Sequence, residues 1–189
     1  MFRLFRKKRI SFKNQINKFA ELGITLNSGV ELEDLLEENS EQSYESEPFD
    51  LLLLTLGGEI FKEEHFLIPS DNIWHFDTEC IEDHGDYKAI IERLKKLTNL
   101  DIHNIKDYID IENEQAWVSF DYQNKTIKWD LNINDDWVDP EIFDKFTNLI
   151  SKESDKTIVM ASLGQDCLIA YMNEEKQKEL NKLVKYNFQ

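Results

Sequence analysis

His75, Asp77 and Glu79 stand at alternate positions and set an imidazole and two carboxylates on one side of an extended chain. Such a face can hold a divalent transition metal and would suit a metal-dependent hydrolase. Asp83, His84 and Asp86 follow closely. The plainer account is a solvated strand face leading into a capped helix, because no second ligand-bearing motif accompanies it. No cofactor is therefore expected, and the His75, Asp77 and Glu79 metal site is kept as the alternative.

A second set nearly matches a calcium loop. Asp130, Asn132, Asn134, Asp136 and Glu141 occupy positions 1, 3, 5, 7 and 12 of the twelve-residue pattern. Position 6 requires Gly for a sharp turn and is Asp135, and the preceding segment reads as a strand where the motif needs a helix. These acids read more simply as a strand-to-helix loop whose Asp139 caps a helix. Nucleophilic chemistry finds no support: the chain has no Gly-x-Ser-x-Gly elbow and no Gly-rich phosphate loop. Cys80 and Cys167, the only cysteines, lie in apolar runs and share no metal-ligand spacing. They read as buried free thiols in a reducing cytosol. A non-catalytic protein is expected.

The remaining candidates are recognition residues. Trp117 falls on the polar face of a hairpin, opposite Asn132 in the expected register, and Trp137 follows Asp135 and Asp136. Large aromatics beside carboxylates suit a protein-binding hot spot, where the ring supplies buried area and the acids engage Arg or Lys. Residues 19–61 carry eleven acids and no Lys or Arg, the sharpest charge asymmetry in the chain. Glu33, Asp34, Glu37 and Glu38 are the acids expected to meet a partner there. The formal net charge is −16, with five of the 22 basic residues in the first nine positions. Phosphate backbones repel such a surface, so nucleic acid is not an expected partner.

The elements that position these residues follow from periodicity. Ala116, Val118, Phe120 and Tyr122 alternate with polar residues, as do Ile127, Trp129, Leu131 and Ile133. A two-residue turn at Asn124-Lys125 pairs Tyr122 with Ile127 and Phe120 with Trp129, and sets Asp121 against Lys128. Ile105 to Ile111 reads as a strand leading into this hairpin. A second hairpin joins Thr157–Leu163 to Cys167–Met172 around Gly164-Gln165, and Ile73 to Ile81 reads as a strand. Helices are expected after Ser11, from a Ser28-x-x-Glu31 capping box, from Pro48 to Gly57-Gly58, and from an Asp86 cap. Two more follow Asp139 and Asn173.

The fold class is α+β, a central antiparallel sheet (hairpins 115–133 and 157–172) with helices packed on it and a helical N-terminal third. Residues 1–10 read as a mobile basic segment and residues 11–189 as a single domain with an acidic loop at about 37–47. No run approaches the roughly 18 apolar residues of a membrane helix, so stable membrane association is not expected. MFRLFRKKRI lacks the apolar region of a secretory signal, and a cytoplasmic location is expected.

The segments PFDLLLLTLGGE, NIWHFDTE, WDLNINDDWVDP and SLGQDCLIAYMNEE give the chain a style that resembles the small acidic immunity proteins of bacterial polymorphic-toxin and contact-dependent inhibition systems. The resemblance covers most of residues 47–184. It implies an inhibitor that binds a cognate, often basic, toxin domain and blocks its active site. An acidic adaptor or scaffold that docks through the 37–47 segment is the other class of binding protein considered.

Overall fold

The computed structural model describes residues 9–152 and 154–189. The basic segment at the N-terminus therefore falls, but for its last two residues, outside the described residues. Within them the fold is α+β with a helical N-terminal part, as expected. Seven helices accompany three antiparallel sheets.

Four helices come first: α1 (Phe12–Glu21), α2 (Leu32–Glu38), α3 (Glu41–Ser46) and α4 (Asp50–Gly57). Ser11 caps α1 through its side chain, as expected. The cap of α2 differs from expectation. Glu31 is the N-cap and exchanges hydrogen bonds reciprocally with Asp34, so the box lies three residues beyond the Ser28 start. The expected acidic loop at 37–47 is largely helical. Ser40 caps α3, and Tyr44 is fully buried, donating its hydroxyl to the Leu35 carbonyl at 2.8 Å and stacking on Phe12 at 4.9 Å. One buried aromatic ring outweighs the polar composition of that stretch. Buried Gln15 then ties the layer together by donating to the carbonyls of Ile10 and Tyr44 and accepting from Phe49 N–H.

A small ribbon follows, β1 (Ile60–Lys62) and β2 (His65–Leu67), then β3 (Ile73–Asp77) and α5 (Asp86–Thr98). Strands β4 (Ile102–Asp110), β5 (Gln115–Tyr122) and β6 (Lys125–Leu131) form one three-stranded meander. After α6 (Glu141–Ile150) the chain makes β7 (Thr157–Ser162), β8 (Asp166–Met172) and α7 (Glu174–Leu183), the last capped by Asn173 as expected. The second three-stranded sheet has the order β3-β8-β7. The two expected hairpins thus belong to two sheets rather than to one.

The β3-β8-β7 sheet is apolar on both faces. Ile73, Leu168, Ala170, Val159 and Ala161 pack into a core with α1 to α4 and α7. Phe76, Cys167, Ile169 and Ile158 point the other way, into a core with α5, α6 and the meander. Burial on both sides explains why CLIAYM reads as a continuous apolar run rather than an alternating one. The meander, by contrast, is one-sided: Ala116, Val118, Phe120 and Tyr122 are buried and their neighbours are not.

The hairpin register differs from expectation by two residues. The turn is Gln123-Asn124, with φ of 49° and 59°, and Phe120 pairs with Ile127, Val118 with Trp129 and Ala116 with Leu131. Both central residues of such a tight turn need positive φ, which Asn tolerates better than Lys125 would. A two-residue slip leaves every side chain on its original face.

Candidate functional site

Helix α5 carries the strongest predicted stripe, and Tyr87, Ile90, Ile91, Leu94 and Leu97 are all buried. Asp86, however, does not cap it. Its carboxylate accepts from Glu82 and Asp83 N–H, while Asp107 on β4 accepts from Gly85 and Lys88 N–H and supplies the cap from another element. Strand β3 supplies His75 and Asp77 but ends there, and Glu79 pairs through its backbone with Trp137. His75 Nε2 lies 3.4 Å from an Asp166 carboxylate oxygen, and the Asp77 carboxylate accepts from Glu79 N–H and from the Gln165 amide. The three residues do not converge. Among the described residues no group of three His, Cys, Asp or Glu side chains is placed to hold a metal ion.

The calcium-like loop is organised around a protein carboxylate. Asp139, only 3% exposed, accepts from Asn132 N–H, from the Asn132 amide and from Glu141 N–H. Its own N–H donates to the Tyr87 hydroxyl at 3.0 Å, and burial pushes that phenol up to about 12. Asp139 is expected to cap α6, but the N-cap position is Pro140, and the Asp139 side chain reaches the helix start by accepting from Glu141 N–H.

A cleft of about 470 Å³ lies between the end of α4, β3 and α5, lined by Gly57, Trp74, His75, Cys80, Arg93 and Lys96 among others. Its strongest polar group is already committed. The Arg93 guanidinium donates to Asp71 and to the carbonyls of Ser70 and Ile73, and burial lowers its pKa. Burial also pushes the Cys80 and Cys167 thiols up to about 12, which keeps them protonated and poor nucleophiles. His75, also on the cleft wall, has its Nε2 buried without a hydrogen-bond partner among the described residues.

The eight residues expected to meet a partner are divided among three surfaces. Trp117 is half-buried on the outer face of the meander, opposite Asp130 rather than Asn132. Its ring stacks on Tyr108 at 6.1 Å, and the Lys128 ammonium lies 4.6 Å from its centroid. Asp135, Asp136 and Trp137 are exposed in the loop after β6, which is zipped to residues 78–81 by hydrogen bonds from Val138 to Thr78 and from Ile81 to Asp136. Glu33, Asp34, Glu37 and Glu38 lie on α2. Asp34 is spent within the fold: the Glu31 N–H and then the Lys62 ammonium at 2.9 Å hold its carboxyl below the usual carboxylate range. Glu38 accepts from Phe61 N–H at 3.1 Å. Glu33 and Glu37 are exposed and carry no ion pair among the described residues.

These contacts dock α2 against the β1–β2 ribbon, which sequence reasoning missed. Ile60 is buried beneath it, whereas Phe61 and Phe66 pair directly across it, 55% and 71% exposed, with ring centroids 5.2 Å apart. The turn is Glu63-Glu64, with φ of 48° and 68°. Left-handed backbone costs a residue with a Cβ roughly 1–2 kcal/mol, so Asn-Gly would be the favoured pair here. The available signal was the mirrored placing of two apolar pairs, Ile60-Phe61 and Phe66-Leu67, on either side of a polar stretch. Each strand is three residues long, and the turn lacks Gly, Asn and Asp.

Glu59, Glu63 and Glu64 add three exposed carboxylates to Glu33 and Glu37, and none is ion-paired among the described residues. No family model, curated protein or solved structure matches the chain.

Proposed function

We propose that this protein is a non-catalytic immunity protein that neutralises a cognate basic bacterial toxin domain through the acidic surface of its N-terminal layer. The observation that supports the reading is the set of exposed carboxylates on α2 and the β1–β2 ribbon that carry no ion pair among the described residues, where the Lys62 charge is taken up by Asp34. A surface of one sign raises the rate of encounter with a partner of the other, and the gain falls as salt screens it. The metal-dependent hydrolase has no gathered ligand set among the described residues to rest on. The adaptor alternative relied on a tail-like 37–47 segment, which is instead packed through Tyr44.

The test is co-expression with the toxin-like C-terminal domain encoded by the neighbouring gene. Cells should survive with the intact protein, and the purified pair should associate about tenfold or more slowly when ionic strength is raised from low to several hundred millimolar. A neighbouring gene without such a domain, or toxicity undiminished by co-expression, would end the proposal.

A further inference from the structure

Three surfaces compete for a role. The cleft beside β3 has its strongest donor occupied by Asp71, Ser70 and Ile73, and the outer face of the meander has Trp117 already engaged by Tyr108 and Lys128. The β1–β2 ribbon is different, because its two largest side chains are mostly uncovered while its backbone is firmly held. We propose that this ribbon is the anchor of the partner interface: Phe61 and Phe66 enter an apolar cleft, rimmed by Lys and Arg, on a basic protein. The proposal rests on the binding function given above and names the surface that carries it.

Alternation within the ribbon sets the geometry. Ile60 and Leu67 form one cross-strand pair that faces the body, and Phe61 and Phe66 form the next pair, which faces out. The Lys62–Asp34 ion pair and the hydrogen bond from Phe61 N–H to Glu38 fasten the first strand to α2. Edge-to-face contact at 5.2 Å then sets each ring against the other. Rings ordered before contact lose little freedom on binding, and central aromatic anchors supply much of the energy of most interfaces.

Charge selects the occupant. Glu59 lies at the base of the ribbon, Glu63 and Glu64 at its tip, and Glu33 and Glu37 on the outer side of α2. An anionic lipid surface or a nucleic acid meets repulsion at these carboxylates, and a second copy brings the same charge. A cationic protein is drawn to it, and its Arg side chains can pack over the ring faces as well as meet the carboxylates.

The experiment places photoreactive benzoylphenylalanine at position 61 or 66 of the full chain, with position 111 (Ile111, also exposed) as control, and exposes each to native-host extract. The expected adduct at 61 and 66, absent at 111, is one protein of strongly basic composition. Binding of that purified protein should weaken about 100-fold or more with Phe61→Ser/Phe66→Ser and recover to within about tenfold with Phe61→Leu/Phe66→Leu. Glu63→Lys/Glu64→Lys should mainly slow association. Unchanged thermal melting of each variant shows that folding is intact. Adducts with a second copy, with an acidic protein, or with vesicles of phosphatidylglycerol and phosphatidylcholine overturn the proposal. If a basic protein is captured at position 111 and still binds Phe61→Ser/Phe66→Ser at full strength, the ribbon is not the anchor but the binding function stands. If no basic protein is captured at any position, both fall.

Discussion

Asp139 shows how one carboxylate can replace the ion that its loop resembles a site for. Three donors from Asn132 and Glu141 converge on it, inside a core that also buries Tyr87. Removing a buried acceptor leaves its donors unsatisfied, and each costs about 1–3 kcal/mol. Asp139→Ala should therefore lower stability by about 3 kcal/mol. In calorimetry that corresponds to a melting temperature about 6–12 °C lower for a chain of this size. A drop within 2 °C would mean that the loop is held by something else. The same logic separates residues that were legible from those that were not. Asn173 and Ser11 cap the helices that immediately follow them, and Asp139 accepts from Glu141 N–H just ahead of α6; local order is enough to find such groups. Asp107 caps α5 from a strand 19 to 22 residues away, a relation that only tertiary packing creates.

Gly57 and Gly58 at the end of α4 carry the corresponding lesson for elements. A glycine pair after an apolar run suggests a left-handed helix stop, but Gly58 has φ of −86° and does not make one. What the fold requires is space. A Cβ on Gly57 would lie 2.8 Å from the backbone nitrogen of His75, on the strand that α4 packs against. Gly57→Ala should cost about 1–3 kcal/mol by pushing helix and strand apart. Gly58→Ala, whose nearest contact is 3.4 Å, should cost distinctly less. Equal urea midpoints for the two variants would refute the close approach. Periodicity is sufficient for α5, α6 and the β5–β6 hairpin, which carry a repeated apolar stripe, whereas β8 is legible as a continuous apolar run after the Gly164-Gln165 turn. It fixed the faces of β5 and β6 but not their register, since a shift of two residues keeps every face and the turn decides between the choices. It failed for α3, where one tyrosine outweighs a polar composition, and for the β1–β2 ribbon, whose strands are too short to show a period. The proposed partner surface is therefore half legible. Its charge could be read from residues 19–61, but its aromatic pair could not.

At the scale of the whole molecule, two cores meet at one sheet. The helical layer of α1 to α4 and α7 covers one face of β3-β8-β7, and α5, α6 and the meander cover the other. Strand β8 is the middle of that sheet, paired to β3 on one edge and β7 on the other, with Cys167 to Ala170 buried throughout. Neither layer can detach without exposing apolar residues that the other layer still requires to be in place. The two halves should therefore lose structure together, and proton–deuterium exchange should record it. The amides of residues 167–170 should be the slowest in the chain, exchanging only through global opening. The β1–β2 ribbon, paired only with itself and tied to α2 through Lys62 and Phe61, should exchange sooner than β8 by local opening, a breathing that leaves the centre shut.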